Sequence, residues 1–256
     1  MKITFLGTGT SQGIPVIGSK HPVCLSKNSK DKRLRSSILI EKEKKIFLID
    51  CGPDFRYQML RSNHEKLNAI FITHEHQDHI GGLDDIRSIN LNMNQSIPIY
   101  GLRRVIENLK KRFFYIFSKN KKSNISVITV HELDDCKKFF FVENSKIFPL
   151  SIWHDYLPIL GFRIENFAYI TDASRIPIQT IQKLKGINIL VLNVLRKVPK
   201  NPFSIILDDT LNIIREICPQ KTYLTHISHT FGFHEKIEPQ LPKNVYLAYD
   251  KLILNL

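Results

Sequence analysis

Short apolar runs alternate with stretches of helical periodicity along almost the whole chain. The runs are rich in Ile, Val, Leu and Phe, which predicts buried strands. They lie at residues 2–6, 36–41, 45–50, 69–72, 97–100, 125–130, 139–142, 146–153, 160–164, 167–171, 189–194, 222–225 and 245–248. Helical spacing predicts helices at residues 53–61, 80–92, 101–111, 177–185 and 207–217. This alternation permits an α/β architecture.

The densest polar cluster follows the strand predicted at residues 69–72. His74, His76, Asp78 and His79 fall within six residues and precede a Gly-Gly pair. Because alternate side chains of a strand point the same way, His74 and His76 can face one ion. If a helix begins near Asp78, then Asp78 and His79 can face a second position. Imidazole with some carboxylate favours zinc, iron or manganese over calcium or magnesium.

Three later polar residues follow apolar runs in the same way. They are His154, Asp172 and His226. Taken one at a time, each is more often a hydrogen-bonded structural residue than a metal ligand. Taken in order after the first cluster, they complete a candidate set of seven ligands.

The chain resembles the metallo-β-lactamase-fold hydrolases and, within them, the phosphoribosyl 1,2-cyclic phosphate phosphodiesterase branch. The superfamily resemblance rests on the cluster and the three later ligands. The branch resemblance runs nearly end to end and rests on these strings: Phe5-Leu-Gly-Thr-Gly-Thr, Arg33-Leu-Arg-Ser-Ser, Asp50-Cys-Gly-Pro-Asp-Phe-Arg, Gly81-Gly-Leu-Asp-Asp-Ile-Arg, Leu160-Gly-Phe-Arg, Ala168-Tyr-Ile-Thr-Asp, Leu224-Thr-His-Ile-Ser-His and Leu247-Ala-Tyr-Asp.

The resemblance implies a fold, a ligand scheme and an activity. The fold is an αβ/βα four-layer sandwich of two mixed β-sheets flanked by helices, expected as one domain over residues 1–256. The ligands divide into two terminal sets and a bridge, in this order: His74, His76 and His154; Asp78, His79 and His226; Asp172. Asp50 is expected to orient the cluster loop by hydrogen bonds. A hydroxide shared by two divalent ions would then hydrolyse a small phosphate ester, with cyclic esters included.

The chain departs from the branch pattern between Arg196 and Asp208. The branch carries histidines there, and the last one contacts substrate or protonates the leaving group. Asn201 and Ser204 stand at those positions here. Neither side chain is a proton donor with a pKa comparable to that of histidine. Ser204 is the catalytic candidate at this position. General-acid catalysis is then weakened, supplied by another residue, or unnecessary for a good leaving group.

A second departure concerns a structural zinc site of the branch. Ser19, His21, Cys24 and His229 stand at the positions of its ligands. His21, Cys24 and His229 are capable zinc ligands, whereas Ser19 is a poor one. A retained zinc and a decayed site held by packing both stay open.

Net charge indicates possible partners, and cysteine content indicates the cellular compartment. The net charge of +13 invites a nucleic-acid interpretation, but most basic residues are Lys in a chain rich in Asn and Ile, which favours compositional drift. The basic and aromatic stretch 103–122 is interpreted either as a solvated helix face or as a flap over a phosphate-bearing substrate.

The chain has no run long enough for a signal peptide or membrane span, and its four cysteines are scattered. We therefore expect a cytoplasmic protein with reduced cysteines.

Two alternatives to the phosphodiesterase hypothesis remain. One is a tRNA 3′-end processing endonuclease of the same superfamily, which would use the basic surface. The other is a non-catalytic metal-binding remnant, although seven intact ligands argue against a relic. A small phosphodiester is the expected partner, and nucleic acid and a homodimer are left open.

Overall fold

The computed structural model describes residues 1–93, 95–117, 128–134, 138–195 and 207–256. The chain forms two compact units. The first unit comprises Met1–Leu6, Ser37–Asp134 and Lys251–Leu256, and the second comprises Gly7–Ser36 and Asp135–Asp250. The single domain expected over residues 1–256 stays a prediction.

A mixed β-sheet forms the base of the first unit. Its strands are, in spatial order, β14 (Ile253–Asn255), β1 (Lys2–Gly7), β2 (Ser37–Lys42), β3 (Lys45–Ile49), β4 (Ala69–Phe71), β5 (Pro98–Leu102) and β6 (Thr129–Leu133). β2 and β3 form the predicted antiparallel hairpin, and β3 to β6 run parallel. Parallel neighbours need crossover connections, so helices follow these strands.

Five α-helices lie in the described part of the first unit. They are α2 (Phe55–Ser62), α3 (Gln77–Ile80), α4 (Ile86–Met93), α5 (Arg103–Arg112) and α6 (Phe114–Phe117). Their apolar faces share one buried core with the sheet, for example Phe55, Ile86 and Val105 with Ile70. The helix predicted at residues 80–92 is in fact divided, because a Gly-Gly pair and a short 3-10 turn separate α3 from α4.

The second unit is built on the other mixed sheet. Its strands are, in spatial order, β13 (Val245–Leu247), β12 (Lys221–Thr225), β11 (Ile189–Asn193), β10 (Phe167–Tyr169), β9 (Leu157–Ile164), β8 (Ser145–His154) and β7 (Phe140–Val142). β10 to β13 run parallel, and β7 to β10 form an antiparallel meander. Its α-helices are α1 (Pro22–Leu25), α7 (Ile178–Leu184), α8 (Leu207–Ile217) and α9 (His234–Ile237).

Each unit therefore combines a mixed seven-stranded sheet, counted over the described residues, with helices. These are the components of the predicted αβ/βα fold. None of the helices that the structure describes has both the length and the apolar character to span a bilayer. The strand predicted at residues 125–130 lies partly outside the described residues, which begin again at Ile128.

Candidate metal centre

Residues 73–79 of the first unit, here called the ligand loop, leave the carboxyl end of β4. β3, β4 and β5 are parallel, so their carboxyl ends lie at one edge of the sheet. The backbone N–H of Asp50, just after β3, donates to the carbonyl of Phe71 at 2.9 Å, and that of Ile72 donates to the carbonyl of Tyr100 at 2.8 Å. The sheet thus places Asp50 beside the start of the loop that carries His74.

Asp50 is a fully buried hydrogen-bond acceptor beneath the ligand loop. Its Oδ1 accepts from the backbone N–H of Thr73 at 2.9 Å, and its carboxylate also accepts from the Thr73 hydroxyl. Its Oδ2 lies 2.7 Å from Nδ1 of His79. Burial raises the pKa of the Asp50 carboxyl, while His79 and Thr73 oppose that rise; a cation held by the loop would favour the ionised form. Asp50 thus contacts both the start of the ligand loop and one of its imidazoles, and its orienting role stays a prediction.

The same network sets the histidine tautomers when Asp50 is ionised. The single Thr73 hydroxyl proton goes to the carboxylate, since an ionised carboxylate only accepts. The Thr73 oxygen must then accept from Nδ1–H of His74, 3.0 Å away. His79 likewise donates its Nδ1 proton to Asp50. Both imidazoles therefore direct an Nε2 lone pair away from the network, as metal-ligating histidines do.

The imidazole rings of the loop lie close together. The ring centroids of His74 and His79 are 4.2 Å apart, and those of His74 and His76 are 4.5 Å apart. Oδ2 of Asp78 is 3.1 Å from Nε2 of His79. The dense sequence cluster is therefore also a dense spatial cluster.

Gly82 allows the turn after β3 to pack directly under this loop. A Cβ at Gly82 would lie 2.1 Å from the carbonyl oxygen of Gly52 and 2.6 Å from Cβ of Phe55. The backbone N–H of Gly82 donates to the carbonyl of Cys51, whose own N–H donates to the carbonyl of His79. Any side chain at Gly82 would force these segments apart.

The remaining predicted ligands lie at strand ends of the second unit. His154 ends β8, His226 directly follows β12, and Asp172 follows β10 by three residues. β10, β11 and β12 are parallel, while β8 is antiparallel to β9 and β9 to β10. The carboxyl ends of β8, β10 and β12 therefore meet at one edge of the sheet.

Asp172 and His226 contact each other at this edge. Oδ1 of Asp172 is 3.1 Å from Nε2 of His226, and its Oδ2 accepts from the Thr171 hydroxyl at 2.6 Å. Both residues have a φ of 56°, and Asp50 of the first unit has a φ of 64°. This left-handed backbone is uncommon for residues other than glycine and tends to occur at functional sites.

Ser174 connects the end of β8 to the segment after Asp172. Its backbone N–H and hydroxyl both donate to the carbonyl of Trp153, at 2.7 and 2.9 Å. Its hydroxyl oxygen accepts from the backbone N–H of Asp155 at 2.6 Å. His154 lies between these two tethered residues, so the main chain carrying its side chain is fixed on both sides.

The chemistry of the donor set fits divalent cations. All seven predicted ligands belong to groups of histidine and aspartate side chains suited to hold a metal ion. Nitrogen with some carboxylate oxygen is the combination that zinc, manganese and iron accept. The cations themselves and the division of the ligands between two of them stay predictions.

The predicted structural zinc ligands lie in the second unit. The rings of His21 and His229 meet edge to face, with centroids 5.0 Å apart. Nδ1 of His21 accepts from the backbone N–H of Val23, and Sγ of Cys24 lies 3.5 Å from the backbone nitrogen of Val16. Among the described side chains, the groups suited to hold an ion do not include His21, Cys24 or His229. The structural zinc stays a prediction.

Comparison with known proteins identifies the family. A model of the β-lactamase superfamily domain matches residues 45–227. The chain belongs to this superfamily. A solved structure described as a new diphosphatase from the PhnP family is similar over 100% of this chain and 97% of its own, with a TM-score of 0.91 and 36% identity. The predicted superfamily, branch resemblance and αβ/βα fold are therefore confirmed.

Curated relatives of this superfamily member are longer proteins. An octanoyltransferase of Porphyromonas gingivalis is 35% identical over 253 residues, which is 98% of this chain and 51% of that protein. A ribonuclease Z of Methanococcus aeolicus is 32% identical over 198 residues, which is 75% of this chain and 52% of that protein. The chain thus spans about half the length of the curated relatives it matches. The diphosphatase and ribonuclease names support the expectation of a metal-dependent hydrolase.

Two candidate residues at the branch's histidine positions lie outside the described part of the superfamily fold. Ser204 and Asn201 fall between residues 195 and 207. The catalytic role considered for Ser204 therefore stays a prediction.

Three supporting residues were missed by the sequence reasoning. Thr73 carried no signal beyond its place before His74, and Ser174 carried none at all. Asn193 did carry one, since it is a polar residue within the apolar run 189–194. Its side-chain amide accepts from the N–H of Ala173 at 2.9 Å and donates to the carbonyl of Ala173 at 3.1 Å. Asn193 therefore fixes the residue next to Asp172.

Proposed function

We propose that the chain is a metal-dependent phosphodiesterase that hydrolyses a small phosphate ester, cyclic esters included. The observation that carries this proposal is the similarity to the PhnP-family diphosphatase, which spans the whole chain at 36% identity. The tautomers of His74 and His79 support it, because both imidazoles present Nε2 for metal coordination.

The proposal assigns two cations to the seven ligands that the resemblance implies. The proposed terminal sets and bridge are those expected from the resemblance: His74, His76 and His154; Asp78, His79 and His226; Asp172 as the bridge. Such cations, when bound, supply a nucleophilic water near neutral pH and polarise a phosphoryl oxygen. Zinc or manganese as the metal, a cytoplasmic setting and a homodimer remain predictions from the sequence.

The chain's own residues keep the ligands in place. Asp50 and Thr73 hold the protons on Nδ1 of His79 and His74, so that the opposite nitrogens stay available. Asn193 holds the residue after Asp172, and Ser174 holds both neighbours of His154. Because these contacts exist before substrate arrives, little reorganisation is needed when charge develops on the phosphoryl oxygens.

The lack of histidine at residue 204 has a consequence for substrate choice. Serine is too weak an acid to protonate a poor leaving group near neutral pH. The enzyme should therefore favour esters whose leaving group is already stable as an anion. Across a series of aryl phosphodiesters, kcat of the unaltered protein should depend more steeply on the pKa of the leaving group than kcat of a Ser204→His variant does.

A tRNA 3′-end processing endonuclease is the second candidate. The observation that favours it is the 32% identity to a ribonuclease Z over 75% of the chain, together with the net charge of +13. That relative is matched over 52% of its length, whereas the diphosphatase is matched over 97% of its length. This difference favours the small ester. A metal-binding remnant is disfavoured because every predicted ligand is present.

One panel of substrates separates these candidates. Zinc- or manganese-loaded protein would be incubated with a ribose cyclic phosphate, an aryl phosphodiester, a dinucleoside diphosphate and a precursor tRNA, and metal content would be measured in parallel. We expect turnover of one or more small esters and none of the tRNA. Cleavage of the precursor tRNA alone would establish the second candidate. Less than about one ion per chain, with no turnover, would support the remnant.

A further inference from the structure

Two side chains of the ligand loop alternate with the predicted ligands and point to α5. Glu75 lies between His74 and His76 in the sequence, and Gln77 lies between His76 and Asp78. Neither is a predicted ligand. Because they share the loop backbone with their neighbours, fixing their side chains restricts the ligands on either side.

Arg104 in the first turn of α5 binds Glu75 through two parallel hydrogen bonds. Its Nε donates to Oε1 at 2.7 Å and its Nη2 donates to Oε2 at 3.0 Å. The Glu75 side chain is 14% exposed and that of Arg104 is 34% exposed. A forked, partly buried pair of this kind is stronger and more directional than an exposed ion pair.

A second contact joins the last residue of α5 to the same loop. Nη1 of Arg112 donates to Oε1 of Gln77 at 2.6 Å. Just beyond, the Tyr115 hydroxyl donates to Oδ1 of Asp84, which follows the Gly-Gly pair. α5 and α6 therefore contact both the ligand loop and the segment that follows it.

We propose that Arg104 is a positioning residue, which acts through Glu75 to hold the ligand loop in the conformation that binds metal. The proposal rests on the proposed function, since it assumes that His74 and His76 bind a cation. It also explains part of the basic composition of α5: one arginine of the helix belongs to the loop's support and is not free for nucleic acid.

The chain offers a matched control on the same helix. Arg103 pairs with Glu107 at 3.0 Å, one turn along α5. The two side chains are 77% and 51% exposed, and Glu107 is not part of the ligand loop. Removing Arg103 deletes the same charge from the same helix while leaving Glu75 with its partner.

The experiment measures the zinc affinity of the metal-free protein by competition with a chromogenic chelator. Arg104→Ala and Glu75→Ala should each weaken zinc binding about three- to ten-fold. The double variant should be no weaker than the worse single variant, because both changes remove one interaction. Arg103→Ala and Glu107→Ala should bind zinc like the unaltered protein. The zinc affinity of Arg104→Lys should lie between those of the unaltered protein and Arg104→Ala, since lysine keeps the charge but cannot form two parallel hydrogen bonds.

Zinc affinities of Arg104→Ala and Glu75→Ala within two-fold of the unaltered protein would overturn the proposal. Losses that multiply in the double variant would overturn it as well. If Arg104→Ala does not fold by circular dichroism, Arg104→Lys and Glu75→Gln are compared in its place under the same criteria. Coupled losses in a protein that hydrolyses no ester would refute the proposed function and leave the role of Arg104 standing. An unaltered protein that binds no zinc would refute both.

Discussion

The two units hold their predicted ligands in different ways. In the first unit, four predicted ligands lie in one short loop, and the buried carboxylate of Asp50 contacts the imidazole of His79 directly and that of His74 through Thr73. In the second unit, three ligands lie far apart in sequence at strand ends, and main-chain contacts hold them, with Asn193 and Ser174 as neutral supports. In this protein the dense motif is therefore held by contacts to one buried carboxylate, whereas the dispersed ligands are placed by the pairing of their strands.

Backbone strain follows the same contrast. In the second unit the left-handed conformation falls on two of the ligands themselves, Asp172 and His226. Among the candidate-site residues of the first unit it falls on Asp50, which contacts Thr73 and His79. Each such residue costs about 1 kcal/mol or more, so the contacts around Asp50, Asp172 and His226 must hold their backbones in this conformation.

The largest expected effect comes from the proposed bridging ligand. Asp172→Ala should lower kcat about a thousand-fold or more, because it would remove a ligand from both cations. His154→Ala, which removes one terminal ligand from the same unit, should cost less. Steady-state turnover of the best small ester, with metal content measured in each variant, checks this order. Near-normal turnover in Asp172→Ala would contradict the bridging role.

The next effect concerns folding of the first unit. Gly82→Ala should lower the free energy of unfolding by about 3 kcal/mol, because the added methyl would overlap the backbone of Gly52 and the side chain of Phe55. The control is Gly18→Ala in the second unit, where φ is +73° but no atom lies within 4 Å. It should cost about 1 kcal/mol from backbone strain alone. Urea denaturation measures both, and equal losses would show that the close approach at Gly82 is relieved cheaply.

A third experiment compares the charged and neutral supports directly. Asp50→Asn should weaken zinc binding about ten- to a hundred-fold, because an amide replaces the acceptor shared by Thr73 and His79. Asn193→Ala in the second unit should weaken it less than about five-fold, since strand pairing still holds that segment. Chelator competition gives both constants. A larger loss for Asn193→Ala would reverse the proposed contrast.

The smallest expected effect is a pH dependence of the free energy of unfolding, which arises from His234 in the second unit. Burial, with Arg33 and Lys30 nearby, lowers the pKa of His234 to about 4, although Asp31 opposes the shift. Glu238 also faces its ring, at 3.9 Å. The unfolded state binds the His234 proton more readily than the folded state does. The stability that neutral His234 contributes is therefore fully present above the unfolded pKa near 6.5 and is lost as the pH falls toward 4. The loss between pH 7 and pH 5 should be on the order of 1 kcal/mol.

The matched variant for this prediction is His234→Gln, which cannot titrate. Urea unfolding at pH 7 and pH 5 should show a smaller loss for the variant than for the unaltered protein. An equal loss in both would mean that the pH dependence arises from other groups.

Much of the fold was predictable because strands and helices leave periodic signals. The hairpin of β2 and β3, the strand before the cluster and the helix at residues 207–217 all lie close to their predicted bounds. The helix predicted at residues 80–92 was wrong in its continuity, because periodicity does not report what packs against Gly82. The contacts made by Ser174 and Arg104 were also missed, since each joins residues about 20 to 30 positions apart.

The sequence by itself determined the chemical types of the candidate ligands and the order in which they follow strands. It could do so because ligand identity and strand periodicity are local properties of the chain. Only the tertiary structure decided which ring nitrogen of His74 and His79 faces away from Thr73 and Asp50, which strand ends share a sheet edge and which helix contacts the ligand loop. Those features depend on hydrogen bonds and packing between residues that are distant in sequence, and no local pattern records such contacts.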